Sequence, residues 1–158
     1  EIFASLAASN ASSFYASMLA QIRAIAVKVA ELTIAVRYNS AAQRMADAIK
    51  NFEGWVPGSR SFRNQNPGNL KFRGQVGATG ADAQGFAIFP TYQLGWDALI
   101  RQLMLAFTNK SQVYNSNMTI VQFFNVYAPR VDSKDPYAYA RYVSGQLGIP
   151  PETKLQDL

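Results

Sequence analysis

The sequence predicts a mainly helical α+β protein with a small antiparallel β-sheet that follows the second helical segment. Two observations support this class. Apolar residues recur at helical spacing before residue 53 and again after residue 91. Between these segments, glycine and proline separate two short runs of strand-forming residues, as is typical of a hairpin. We therefore expect helices on both sides of one small sheet.

The first 39 residues are predicted to form an N-terminal helical extension, followed by a domain at 40–158. Apolar residues in the extension recur at spacings of four and three, which indicates one face of a helix. Charged residues interrupt the segment and argue against a transmembrane span, and a secretory signal is not apparent. We expect this face to pack on its own domain or on a partner helix, although membrane contact is an alternative. The apolar face consists of Phe14, Met18, Ile22, Ile25, Val29, Leu32 and Val36.

The second helix is predicted over residues 41–53. A break is expected at Tyr38-Asn39-Ser40, and Ser40 with Gln43 fits a capping box. Gly54 supplies a helix stop, which places Glu53 in the last turn.

The remaining elements follow from local signals. Two short strands are predicted at Leu70–Arg73 and Phe86–Phe89, joined by a glycine-rich hairpin. Three further helices are expected after them. The predicted helix boundaries are a Thr91 cap, a capping box of Thr119 with Gln122, an Asp135-Pro136 start, and an end at Gly148.

The composition excludes several classes of active site. The chain has 158 residues, no Cys and no His, and a net charge of +5. These absences exclude a thiol nucleophile, a Ser-His-Asp triad and a zinc site built on histidine. We expect no metal and no cofactor, so carboxylates, amides, hydroxyls and basic side chains must carry any chemistry. The charge suits a polyanionic partner, but the basic residues are scattered and form no nucleic-acid motif, so no nucleic acid is expected.

Glu53 is the candidate catalytic residue. We expect its neighbours Phe52 and Trp55 to exclude water, and the carbonyl end of the helix to disfavour negative charge. A carboxyl group that keeps its proton near neutral pH can serve as a general acid. Without the surrounding motif, a glutamate at a helix end is usually just exposed.

A second carboxylate is less evident. Asp47 lies off the apolar stripe of its helix and is expected to be solvated. Asp82 lies in the run GATGADAQG, where aspartate commonly shapes a turn. Asp82 is therefore a possible second carboxylate, and a mechanism with Glu53 alone is favoured.

Five runs then point to a family. FEGW with GSRSFRNQNPGNL, then GFAIFPTYQLGWDAL, NVYAP and YARYVSGQLG occur in this order. Together they resemble a phage and bacterial group of lysozyme-like muramidases and lytic transglycosylases, over about residues 41–158. The resemblance implies a lysozyme-like fold and cleavage of the MurNAc–GlcNAc glycosidic bond in peptidoglycan, with Glu53 as the catalytic acid. Gln65 stands where this group usually has Asn.

The resemblance also implies the substrate-binding residues. They lie on a loop beside the glycan, on a strand that lines the cleft, and on a segment opposite the catalytic glutamate. The loop residues are Ser59, Arg60, Arg63, Asn64, Asn66 and Asn69, the strand residues include Phe86 and Ala87, and the opposite segment contains Tyr127.

We expect the reaction to be that of a lytic transglycosylase, with a hydrolytic muramidase as the alternative. A non-catalytic glycan-binding or structural virion module is the alternative of another class. The expected partners are peptidoglycan glycan strands and, through residues 14–36, a partner helix or a parent virion protein. Because the chain begins at Glu1 rather than Met, we expect a fragment or processed product, located in a phage virion or secreted, that acts on the periplasmic side of the cell wall.

Overall fold

The computed structural model describes residues 2–129 and 135–158. It confirms a mainly helical protein with a small two-stranded antiparallel sheet. The chain divides into two compact units, Glu1–Arg37 and Tyr38–Leu158, close to the predicted domain boundary. The helices are α1 (Ile2–Phe52), α2 (Arg60–Arg63), α3 (Tyr92–Phe107), α4 (Ile120–Tyr127) and α5 (Pro136–Leu147); the strands are β1 (Gly80–Ala81) and β2 (Ala87–Ile88), and a 3₁₀ turn covers Leu155–Asp157.

The predicted break at Tyr38-Asn39-Ser40 is wrong, because α1 continues through these residues. Asn and Ser reduce helix stability by less than about 1 kcal/mol each, and no proline or glycine stands between Ile2 and Phe52 to interrupt the hydrogen bonding. Tyr38 also gains a tertiary hydrogen bond, since its hydroxyl donates to the carbonyl oxygen of Gln156 at 3.0 Å. The capping signal at Ser40 therefore does not start a new helix, because the preceding residues are already helical.

The first unit exposes its apolar residues. Wherever side chains are described between Ile2 and Arg37, they are exposed, including those of the predicted stripe. Leu19, Val27 and Ile34 lie off that stripe and are also exposed, so apolar surface extends around the helix. Within the described residues, no helix is both long and apolar enough to span a membrane.

The second unit has a hydrophobic core built from the last part of α1 and from α3, α4 and α5. Met45 and Ile49 of α1 are fully buried, as are Leu99 and Leu103 of α3. The spacings of four residues explain why each helix turns one apolar side inward. Aromatic side chains fill the centre of this core; Phe107, Phe123, Phe124 and Tyr139 are all fully buried or nearly so.

The sheet differs from the prediction. β1 pairs with β2 antiparallel, with Gly80 opposite Ile88 and Ala81 opposite Ala87. The predicted strand at Leu70–Arg73 is wrong and contributes only one isolated antiparallel bridge, between Lys71 and Phe86. A side chain occupies part of this edge, because Asn66 hydrogen-bonds both the N–H and the carbonyl oxygen of Leu70.

The predicted caps of the three later helices are confirmed. Thr91 accepts from the N–H of Leu94, and Thr119 forms a complete capping box with Gln122. Asp135 accepts from the N–H of Tyr137, which follows a proline at the first helical position. Each of these caps satisfies an N–H that has no partner inside its helix.

Candidate functional site

Glu53 is the C-cap residue of α1. Its N–H donates to the carbonyl oxygen of Ile49 at 2.9 Å, and the predicted stop at Gly54 is confirmed by a left-handed φ of 70°. The N–H of Gly54 bonds the Asn51 carbonyl and the N–H of Trp55 bonds the Lys50 carbonyl, which completes a Schellman motif. This local geometry fixes the backbone that carries the candidate carboxylate.

Two side chains hold the carboxyl group of Glu53. The hydroxyl of Tyr139 on α5 donates to Oε1 at 2.9 Å, and the amide Nδ2 of Asn69 donates to Oε2 at 2.6 Å. Tyr139 is fully buried, and its ring lies 3.9 Å from that of Phe52 and 4.2 Å from that of Phe124 between ring centroids. Packing therefore fixes one of the two donors firmly.

Glu53 lines a small cavity with a volume of about 20 Å³. This volume accommodates one group of about the size of a water molecule or hydroxyl. Its other lining residues are Arg60, Asn69, Lys71, Phe86, Tyr127 and Ala128.

The apolar surroundings of the carboxyl group differ from the expectation. Phe52 and Trp55 do not line the cavity; instead Phe52 packs on Tyr139, and Trp55 packs on the ring of Phe62 at 5.2 Å. Phe86 and Tyr127 supply the aromatic surface beside Glu53. Chain neighbours of a C-cap residue point in different directions, so sequence adjacency did not identify this surface.

The loop that brings Asn69 to Glu53 has an unusual backbone. Gln65 and Asn69 adopt left-handed φ values of 49° and 46°. Asparagine tolerates this conformation better than glutamine, so the backbone at Gln65 is the more strained of the two. The chain turns at Pro67 and Gly68, as the Asn-Pro-Gly-Asn run predicts, and the N–H of Asn69 bonds the carbonyl of Asn66.

Asn66 fastens this loop to the sheet. Its side chain is fully buried, and its Nδ2 donates to the carbonyl oxygens of Leu70 at 3.0 Å and Ala87 at 2.9 Å. Its Oδ1 accepts from the N–H of Leu70 at 2.9 Å. The side chain offers no surface to a ligand, so its role is structural rather than the expected contact with glycan.

Two cations flank Phe86 at the cavity. The guanidinium of Arg60 lies 3.6 Å from the centroid of the Phe86 ring, and Nζ of Lys71 lies 3.8 Å from it. Both cations also bond Gln84: Arg60 donates to its side-chain Oε1 at 2.6 Å and Lys71 to its carbonyl oxygen at 3.4 Å. The cavity is therefore bordered by positive charge on an aromatic face.

Arg60 and Asn69 each carry a buried atom without a hydrogen-bond partner among the described residues. These atoms are the donor Nε of Arg60 and the acceptor Oδ1 of Asn69. An unsatisfied buried polar atom costs about 1–3 kcal/mol, and such atoms are few in folded proteins. Both residues line the cavity with Glu53.

Tyr127 also lines the cavity. Its hydroxyl donates to the carbonyl oxygen of Gly68 at 2.6 Å, across 59 residues of sequence. A Cβ on Gly68 would lie 2.8 Å from this hydroxyl, so the contact requires glycine. Burial, with a further contribution from the nearby Glu53 carboxylate, raises the pKa of Tyr127 well above its usual range. Burial likewise raises the pKa of Tyr139 well above its usual range, so both hydroxyls stay protonated donors.

Besides Asn66, four predicted contact residues lie outside the cavity lining. Ser59 caps α2 by accepting from the N–H of Phe62 at 3.2 Å, and Arg63 is exposed and donates to the carbonyl of Gly58. Asn64 is buried and donates to Asp82 at 2.8 Å, while Ala87 is fully buried in β2. These residues shape the loop and sheet around the cavity.

Asp82 shapes the turn of the hairpin. Its Oδ1 accepts from the N–H groups of Gln84 and Phe86, both at 2.9 Å, and its Oδ2 accepts from Asn64. Burial alone would raise its pKa, but these hydrogen bonds and the positive charge of Arg60 outweigh burial and lower the pKa below its usual value. Asp82 does not line the cavity, and Glu53 is the one carboxylate among the described residues that do.

The prediction missed two residues of the site, Lys71 and Tyr139, whereas Ala128 belongs to the segment that was expected to end in the cleft. Lys71 and Ala128 line the cavity, and Tyr139 bonds the carboxyl group. Tyr139 and Ala128 lie within the runs YARYVSGQLG and NVYAP that carry the resemblance. Lys71 had no sequence signal beyond its place in the predicted first strand.

Comparison with known proteins identifies no relative. No family model, curated protein or solved structure matches the chain. The site must therefore be interpreted from its own chemistry. Within the described residues, no cluster of His, Cys, Asp and Glu side chains could hold a metal ion.

The arrangement suits proton transfer. One carboxyl group borders a cavity of hydroxyl size, and two donors fix its orientation. A positioned carboxyl group of this kind can donate a proton to an oxygen in the cavity or accept one from it.

Proposed function

We propose that residues 40–158 form a lysozyme-like catalytic domain that cleaves the MurNAc–GlcNAc bond of peptidoglycan as a lytic transglycosylase. The observation that carries the proposal is Glu53, which is held by Asn69 and Tyr139 at a cavity bordered by Arg60 and Lys71. The order of helix, glutamate, small sheet and further helices also agrees with the motifs that suggest this group.

The reaction needs one carboxyl group acting twice. Glu53 first donates its proton to the glycosidic oxygen, so the bond from that oxygen to C1 of the sugar breaks and positive charge develops at C1. The resulting carboxylate then takes the proton of the sugar's own 6-hydroxyl, whose oxygen bonds to C1. The products are a free hydroxyl on the leaving sugar and a 1,6-anhydro ring, and Glu53 is protonated again.

The surroundings of Glu53 favour this use. Asn69 and Tyr139 orient the carboxyl group, so little rearrangement is needed before proton transfer. Asp82 is engaged in the hairpin turn, which favours a single-carboxylate mechanism over one with a second catalytic acid. The small cavity suits one hydroxyl-sized group of the substrate at a time.

The available donor and acceptor agree with an N-acetylated sugar. An acetamido group carries one carbonyl acceptor and one N–H donor, which match in kind the unpaired donor Nε of Arg60 and the unpaired acceptor Oδ1 of Asn69. The net charge of +5 further favours the negatively charged cell wall.

Substitution of Glu53 by Gln tests the proposal. The variant keeps the shape of the side chain but has no titrating proton, so cleavage of purified peptidoglycan should fall at least about 100-fold. Glu152→Gln is the matched control, because Glu152 is exposed in the same unit and should cleave like wild type. A folded Glu53→Gln protein with near-wild-type cleavage would refute the catalytic role.

Mass spectrometry of the products decides the reaction class. Anhydro ends are expected; products that carry one added water and no anhydro sugar would instead indicate a hydrolytic muramidase. Loss of cleavage in a folded Asp82→Asn variant would also favour the hydrolase. Glycan binding without cleavage by wild type would indicate a non-catalytic binding module.

The exposed apolar helix supports a place in a larger assembly. Apolar side chains from Phe14 to Val36 are exposed, and burying each fully would contribute roughly 1.5–3 kcal/mol. We propose that residues 14–36 bind a partner helix, such as one in a parent virion protein, while Tyr38–Leu158 act on the cell wall.

A further inference from the structure

A groove of about 690 Å³ shares no lining residue with the Glu53 cavity. Its walls come from residues 73–76, from one side of α3 and from residues 111–114. This volume falls in the range of cavities that hold small organic ligands or short peptides.

The groove combines apolar surface with charge. Val76, Leu94, Ala98 and Leu105 are among its apolar lining residues. Its polar lining residues include Arg73, Asp97, Arg101 and Tyr114. A ligand that fits this wall needs small apolar groups next to charged ones.

The two arginines have no carboxylate partner in the described structure. The ion pairs among the described residues are Lys28–Glu31 and Lys50–Asp47, so neither Arg73 nor Arg101 belongs to one. Arginine presents a planar fork of donors that matches a carboxylate. Two such groups on one groove therefore favour a ligand with carboxylates.

Asp97 and Tyr114 extend the polar side of the groove. One oxygen of Asp97 accepts from the amide of Gln93 at 2.7 Å, which leaves its second oxygen able to accept from an ammonium. The hydroxyl of Tyr114 accepts from Gln102 at 3.5 Å. Burial raises the pKa of Tyr114 to about 12, while the positive charge of Arg73 acts to lower it. This influence of Arg73 agrees with the presence of both residues in the lining of the groove.

The groove starts close to the catalytic cavity. Lys71 lines the cavity and Arg73 lines the groove, so the Cα atoms of these two residues lie within about 7 Å of each other.

We propose that this groove binds the stem peptide attached to the glycan strand, a short peptide with carboxylates, an amino group and small apolar side chains. The identity of the peptide rests on the proposed function. Arg73 and Arg101 bind its carboxylates, Asp97 binds its ammonium group, and Leu94 and Ala98 contact its methyl groups. The protein would thus distinguish peptide-bearing glycan from bare glycan.

Binding of a free stem tripeptide, L-Ala–γ-D-Glu–L-Lys, tests the groove without any cleavage. Isothermal titration with the full chain should show binding that weakens at least about 10-fold in Arg73→Gln and in Arg101→Gln, because each loses a charge-assisted hydrogen bond. Arg44→Gln is the matched control, because Arg44 is exposed on α1 and lies outside the groove. Absence of tripeptide binding by wild type, or equal binding by all variants, would overturn the proposal.

Cleavage kinetics then separate this proposal from the proposed function. Wild type should have a lower KM on peptide-bearing strands than on strands stripped of peptides, and the ratio should approach one in Arg73→Gln and Arg101→Gln. An equal loss on both substrates would show that the groove holds sugar, which would overturn the peptide proposal. Tripeptide binding that depends on both arginines, in a protein that cleaves neither substrate, would refute the enzyme function and still support the groove as a peptide site.

Discussion

Replacing Gly95 by Ala should destabilise the protein although it improves helix propensity. Gly95 is buried in α3, where its N–H bonds the carbonyl of Thr91. A Cβ at this position would overlap the carbonyl oxygen of Gln65 and would lie 3.0 Å from Cδ of Pro67. The helix thus packs directly against the loop that carries Asn66 and Asn69.

Gly145 of α5 provides the matched control. No atom lies within 4 Å of a Cβ added there, and its φ is not left-handed. Gly145→Ala should therefore gain roughly 0.5–1 kcal/mol of unfolding free energy from helix propensity. Gly95→Ala has the same intrinsic gain, but displacing backbone in a packed core costs typically about 1–3 kcal/mol and occasionally more. Because the overlap is with a carbonyl oxygen, we expect the upper part of that range and a net loss of about 1–2 kcal/mol.

Urea denaturation of both variants measures these free energies. The expected difference between Gly145→Ala and Gly95→Ala is about 2–3 kcal/mol, from the propensity gain and packing cost above. Gly95→Ala should also cleave peptidoglycan more slowly, because a displaced loop moves Asn69 from Glu53. A Gly95→Ala protein as stable as Gly145→Ala would refute the close packing of α3 on the carbonyl of Gln65.

Three further predictions concern the site and the first unit. Tyr139→Phe removes the hydroxyl that donates to Glu53 but keeps the stacked ring. Denaturation should therefore show a loss of about 1 kcal/mol in the free energy of unfolding, and steady-state assays should show a lower kcat. Unchanged kcat and stability would contradict the role of the hydroxyl. Because burial raises the pKa of Tyr127 and Tyr139, their stabilisation is complete below about pH 10 and is lost as pH rises through the raised values. Absorbance titration should show them ionising only as the protein unfolds, and early reversible ionisation would argue against their burial. A protein that starts at Tyr38 should still cleave glycan strands, and light scattering should show less self-association than for the full chain. If this shorter protein is a folded monomer but cannot cleave soluble glycan strands, the first unit takes part in catalysis.

Local signals in the sequence determined most helix boundaries. Thr119 with Gln122, and Asp135 with Pro136, act within one helical turn, so their partners lie within a few residues of them. The same holds for Gly54, whose left-handed backbone ends α1 after Glu53. These features need no tertiary structure because both hydrogen-bond partners belong to the same short segment.

The apparent break at Ser40 shows the limit of such signals. A serine with a glutamine three residues later fits a helix start, yet α1 continues through it. A capping motif operates only where the preceding residues leave the helix, and here no proline or glycine interrupts it. The sequence also placed the first strand too early, because it could not show that the side chain of Asn66 would bond the N–H of Leu70.

The sequence by itself determined that a glutamate would end a helix next to a glycine-rich sheet, in a chain without histidine or cysteine. Only the tertiary structure decided what surrounds that glutamate. Tyr139 is 86 residues from Glu53 along the chain and Asn69 is 16 residues from it, yet both bond its carboxyl group. Such contacts depend on how α5 and the loop pack against α1, and that packing is set by the whole core rather than by any local pattern.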